Sequence, residues 1–150
     1  MNDPEPSVVF AFWQRWLFSV AFLIVLFGLS LAFFNQSTAF AILFNNQINP
    51  VFWNDHPAAE NVIAFQRWIY GVLGATVAGW GLFLAFLSRY PFKSRQRWAW
   101  NCIALGLTLW FLVDTAISIF CQVYFNALFN LALYLAGILP LAFTYKDMTE

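Results

Sequence analysis

Asp114 is the single acidic residue within four long apolar runs, and an ionisable group at membrane depth marks a functional site unless a structural partner accounts for it. Gly106, Trp110, Asp114 and Ser118 recur at four-residue spacing, so they share one helical face. The helical neighbours of Asp114 are Trp110, Phe111, Ile117 and Ser118; none is basic, and a counter-charge must come from another element. Arg67 has the mirror-image deficit, with Ile63, Ala64, Tyr70 and Gly71 around it. Asp114 lies about 24 Å along its helix from Trp98, close to the level of Arg67. An Arg67–Asp114 ion pair is therefore expected, joining the second and third spans as a packed antiparallel hairpin.

Asn126 and Asn130 stand four apart on the last span, with Gln122 one turn earlier, and Ser30 and Asn35 close the first span at the same level. Arg67, Trp110, Asp114, Ser118, Asn126 and Asn130 thus make up a polar cluster in the outer half of the protein, while the inner half is expected to be almost wholly apolar. Amides and hydroxyls of this kind commonly hold membrane helices together. A ligand or partner pocket is the rival use of the cluster, and proton handling by Asp114 the third. A proton path across the membrane would need ionisable groups in the inner half too, so channel and pump readings are set aside.

No Ser/His/Asp set, phosphate loop or paired carboxylate site can be assembled, and no catalytic residue is nominated. His56 and Glu60 share a spacing that suits metal ligands on a helix, with Asp55 beside them. Helix-start chemistry explains the same residues, with Pro57 at the first helical position and Glu60 in the first turn, so no metal site is assigned. Nothing in the sequence specifies a cofactor.

The elements that carry these residues are set by composition. Of the 150 residues 62% are hydrophobic and 9% charged, against roughly 25% charged in soluble domains. The reading is an all-α integral membrane protein of one domain, with four transmembrane helices in an antiparallel bundle and spans at about 16–34, 68–88, 98–120 and 123–143. The leader before the first run is acidic and the run is long, which argues against a cleaved signal peptide. Formal net charge is zero, which gives no support to nucleic acid as a partner. Four of the seven basic residues lie in the 89–97 loop, which the positive-inside rule places in the cytoplasm together with both termini.

The 35–66 segment then faces outward and, being too apolar for a free loop, is expected to form a hairpin-like interfacial cap. A tight turn near Gln122 is forced, because one helix over 98–143 would run about 69 Å. Asn126 is expected to cap the fourth helix. Gly74, Ala78, Gly81 and Ala85 form a small-residue stripe suited to close packing inside the bundle, with a homodimer face as the competing use. Trp80 and Trp110 lie deep and read as core packing. Cys102 and Cys121 would stand about 28 Å apart on a continuous helix, too far for a disulfide.

The stretch Arg67, Trp68, Ile69, Tyr70, Gly71, Val72, Leu73, Gly74, Ala75 resembles the start of the second span in the small DoxX-like four-helix bacterial membrane proteins. That resemblance implies a bacterial inner-membrane protein, accessory to a larger redox or transport system, and brings no catalytic residues with it. The leading expectation is a non-enzymatic membrane protein, in contact with the lipid bilayer, that binds a partner protein or small apolar ligand at the outer polar cluster. The alternatives are a redox accessory or lipid- or quinone-acting enzyme using Asp114, and a structural subunit of a larger membrane complex.

Overall fold

The computed structural model describes residues 8–53 and 59–149. Its helices are α1 (Val8–Phe34), α2 (Thr38–Phe40), α3 (Asn46–Trp53), α4 (Glu60–Arg89), α5 (Arg97–Phe120) and α6 (Tyr124–Thr144), with a π-helical turn over Ala41–Asn45 and a 3-10 turn over Tyr145–Asp147. Four of them, α1, α4, α5 and α6, are long and apolar enough to cross a membrane. The protein is an all-α, multi-pass membrane protein built on these four helices. A helix is suited to that setting because it pairs its backbone polar groups within itself.

Small residues decide which helices meet. Gly28 and Ala32 on α1 face Gly74 and Ala78 on α4, and a Cβ built on Gly28 would lie 2.8 Å from Ala78 Cα, one on Gly74 2.8 Å from Ala32 Cα. Backbones this close gain dispersion contacts that large side chains would prevent. The stripe on α4 is thus taken up within the chain, against α1. The contact between α1 and α4 is the most extensive in the bundle, α5 lies on α6, α1 bridges to α6, and α4 touches α5 at few positions. This corrects the expectation of a packed hairpin between the second and third spans. The rings of Trp80 and Trp110 stand 5.6 Å apart between those two helices, and two indoles hold helix axes further apart than glycine and alanine do.

The turn between α5 and α6 falls where helix length demands it. Gln122 takes a left-handed conformation with φ 64°. The Val123 N–H donates to the Ser118 carbonyl at 2.8 Å and the Gln122 N–H to that of Ile119 at 3.0 Å, the pairing of a Schellman motif. A non-glycine residue costs roughly 1–2 kcal/mol there, offset by burial of the Val123 side chain. Asn126 does not cap α6: Val123 holds that position without a side-chain hydrogen bond, and the Asn126 amide is engaged elsewhere.

The end of the bundle that carries the 89–97 loop, here the basic end, is not wholly apolar. Helix α1 starts at Val8 rather than near Trp16 and so carries Gln14, buried, into the bundle. Its Nε2 donates at 2.9 Å to the Ser88 carbonyl, which is free because the Phe92 N–H turns to Leu87 instead. Pro140 has no N–H for the carbonyl one turn back, and Trp16 Nε1 donates to that carbonyl, Ala136 O, at 3.0 Å. Trp100 Nε1 serves Leu141 O at 2.8 Å. These indoles close backbone groups of α6 as well as sitting near the helix ends. Phe10, Phe92 and Met148 seal the core beneath, and Thr149 joins the loop through hydrogen bonds with Arg95 and Arg97.

The segment after α1 forms a helical cap at the opposite end, where a hairpin-like one was expected. Ser37 Oγ accepts the Phe40 N–H at 3.2 Å and starts α2. Phe44 is inserted among Phe27, Phe125 and Phe129, with ring centroids 5.5, 5.8 and 5.6 Å away, and Phe40 stacks on it at 4.8 Å. Gln66 Nε2 ties α4 to α3 by donating to Asn49 Oδ1 at 2.8 Å. Asp55, His56 and Pro57 lie outside the described residues. The described part of α4 opens at Glu60, in its first turn, after an extended Ala59.

Candidate functional site: the Asp114 cluster

Asp114 sits about 26 Å along α5 from Arg97, near the cap end. The side chains that meet it come from α5 and α6, which the tight turn at Gln122 lays side by side. Asp114 Oδ1 accepts hydrogen bonds from Asn126 Nδ2 at 2.8 Å and Asn130 Nδ2 at 2.8 Å, and lies 3.1 Å from Ser118 Oγ, whose one hydroxyl hydrogen it shares with the Asp114 carbonyl. Asn126 Nδ2 also donates to Ser118 Oγ at 2.8 Å, while the Ser118 hydroxyl lies 2.7 Å from the Asp114 carbonyl oxygen. Asn130 Nδ2 reaches Thr115 Oγ1 at 3.5 Å. Hydrogen bonds between membrane helices are worth about 0.6 kcal/mol each on average and up to about 1.7, so the set is a moderate clamp between α5 and α6.

The two carboxylate oxygens are used unequally. Oδ1 carries every side-chain hydrogen bond that Asp114 accepts among the described residues, and Oδ2 carries none. Asn130 and Ser118 are buried, whereas Asp114 itself is only half-buried. The arrangement holds one oxygen and presents the other as an acceptor.

Of the residues singled out from sequence, Asp114, Ser118, Asn126 and Asn130 come together. Trp110 lies one turn along α5 and packs on Trp80. Arg67 does not join. It is exposed on α4, and among the described residues neither it nor Asp114 forms an ion pair. The expected Arg67–Asp114 pair fails because α4 is drawn onto α1 and α5 onto α6, which leaves the two charges on helices that touch at few positions; two asparagines supply the donors instead. Ser30 is exposed, and Asn35 donates to Leu31 O on its own helix at 2.9 Å and reaches the Arg67 carbonyl on α4 at 3.5 Å, away from Asp114. The cluster therefore belongs to two helices rather than four. Thr115 was missed, since only the register of α6 against α5 reveals it.

Among the described residues no three His, Cys, Asp or Glu side chains gather as a metal site requires, and Cys102 and Cys121 are free thiols. No family model, curated protein or solved structure matches the chain.

Proposed function

We propose that this chain is a non-enzymatic membrane protein that recognises, at membrane depth, a partner protein or small apolar ligand bearing a hydrogen-bond donor, and that Asp114 Oδ2 accepts that donor. The observation that carries the reading is the division of labour within one carboxylate, with two asparagine amides and the shared Ser118 hydroxyl on Oδ1 and no donor on Oδ2 among the described residues. An acceptor left open in hydrocarbon is costly, so a helix or ligand that fills it gains more than the same contact would in water. A second observation supports it: over an 18-residue apolar stretch α5 is 17% buried, against 28% for α4 and α6 and 33% for α1, so the helix that carries Asp114 is the least covered of the four spans.

We place the protein in a bacterial inner membrane, with the 89–97 loop and both termini in the cytoplasm, because four of the seven basic residues lie in that loop. The cap and the Asp114 cluster then face the periplasmic side. The size and helix count suit the accessory role that the DoxX-like resemblance implies. The reading is tested by purifying the protein in mild detergent and identifying by mass spectrometry the proteins and lipids that accompany it. A species bearing a donor group, retained by the wild type and lost on substitution of Asp114, is the expected result.

A further inference from the structure

The weak contact between α4 and α5 leaves a groove at the basic end, of about 720 Å³, lined by Phe83, Phe86, Leu87, Trp98 and Cys102 along its length and by Ser94 near the loop. Its walls are apolar and belong to two membrane-crossing helices. Tyr90, Pro91, Ser94 and Gln96 of the basic loop complete its lining. Of the four cations there, two are committed within the chain: Arg95 lies 5.2 Å from the centroid of the Phe10 ring, and Arg97 lies 4.3 Å from that of Tyr145. Arg89 and Lys93 are exposed and, among the described residues, have no ion pair, side-chain hydrogen bond or ring contact. Each is the chain neighbour of a residue that lines the groove, Tyr90 and Ser94 respectively. The Ser94 hydroxyl is likewise without a partner among the described residues.

We propose that this groove is a binding site for one anionic phospholipid, with an acyl chain against Phe83, Phe86 and Cys102 and the phosphate at Lys93, Arg89 and Ser94. The charge complementarity selects the occupant. A zwitterionic lipid would fill the apolar part equally well but would place its own cation beside the two free basic side chains. A partner helix could cover the apolar walls but would leave those charges unmatched unless it carried acids at the membrane surface. Basic residues next to a membrane contribute roughly fivefold in affinity for anionic lipid per residue. The site is independent of Asp114, which lies near the other end of α5.

Cys102 provides the readout, because its exposed thiol lines the groove. In a Cys121→Ser background, the full chain is delipidated in a neutral detergent, and the alkylation rate of Cys102 is followed as phosphatidylglycerol or phosphatidylcholine with matched acyl chains is added. Phosphatidylglycerol is expected to slow alkylation at a lower mole fraction than phosphatidylcholine, with native mass spectrometry showing one retained molecule. Lys93→Gln, in an exposed loop position where it does not burden folding, should raise the amount of phosphatidylglycerol needed by about fivefold and leave phosphatidylcholine unaffected. Equal protection by the two lipids, protection by neither, or a Lys93→Gln variant that behaves as the parent overturns the proposal.

Discussion

Asn130 donates to Asp114 Oδ1 across 2.8 Å from a side chain that is 2% exposed, while Asp114 stays half-buried. The donor is wholly enclosed and the acceptor is not. The α5–α6 pair is thereby fixed at its cap end by a carboxylate that still faces outward with its second oxygen.

The two asparagines should differ in their effect on stability. Asn130→Ala removes a buried donor at the centre of the clamp, and Asn126→Ala one from a half-buried position. Each is expected to cost on the order of 1 kcal/mol, with Asn130→Ala the larger, read as a lower midpoint of thermal unfolding in detergent. Equal midpoints for both variants and the wild type would show that the clamp does not hold the helices.

Glycine substitutions should separate by the helix face they occupy. Gly28→Val and Gly74→Val bring side chains onto the backbone of the facing helix, an overpacking expected to cost about 1–3 kcal/mol or more. Gly79→Ala and Gly106→Ala meet nothing within 4 Å and should be neutral or gain up to about 1 kcal/mol from helix propensity. Thermal unfolding of the four variants checks the order.

Trp16 and Pro140 should prove energetically coupled. Pro140→Ala restores an N–H for Ala136 O, the carbonyl that Trp16 Nε1 serves. Trp16→Phe is therefore expected to cost about 1 kcal/mol in the parent and clearly less beside Pro140→Ala. A double-mutant cycle measures the difference; additive costs would mean that the indole is not filling the place of the missing amide.

Orientation has its own test. In a chain lacking Cys102 and Cys121, a cysteine placed by Ser94→Cys in the exposed loop should react with a membrane-impermeant maleimide only after cells are opened. Labelling of intact cells would reverse the topology proposed above.

The helices were legible in the sequence because apolar run length and the basic loop are local signals; the turn at Gln122 followed from length alone. Helix neighbours were not. The stripe on α4 was visible, but its mate, Gly28 with Ala32, sits in a run whose only evident interruptions were Ser19, Gly28 and Ser30. The short 89–97 connection favoured pairing α4 with α5, and with it Arg67 with Asp114, whereas the glycine and alanine contacts draw α4 onto α1. Gln14 was overlooked because it precedes the apolar run, although α1 begins before it. The Asp114, Ser118, Asn126 and Asn130 part of the cluster was legible because four-residue spacing places side chains on one face regardless of which helix lies opposite. The division between Oδ1 and Oδ2 depends on side-chain geometry that no spacing records.

The central claim is that Asp114 holds the bundle with one oxygen and binds a partner with the other. Asp114→Asn separates the two roles, since an amide keeps an oxygen for Asn126 and Asn130 but replaces the presented acceptor with a donor. Asp114→Leu removes both and leaves the buried Asn130 donor short of its partner, at about 1–3 kcal/mol. The decisive measurement is thermal unfolding in mild detergent together with mass spectrometry of the co-purified molecules, for the wild type and both variants. The account predicts that Asp114→Asn unfolds close to the wild type yet loses the bound species, while Asp114→Leu loses both stability and binding. A wild type recovered without a bound species, or an Asp114→Asn variant that retains it, would contradict the claim.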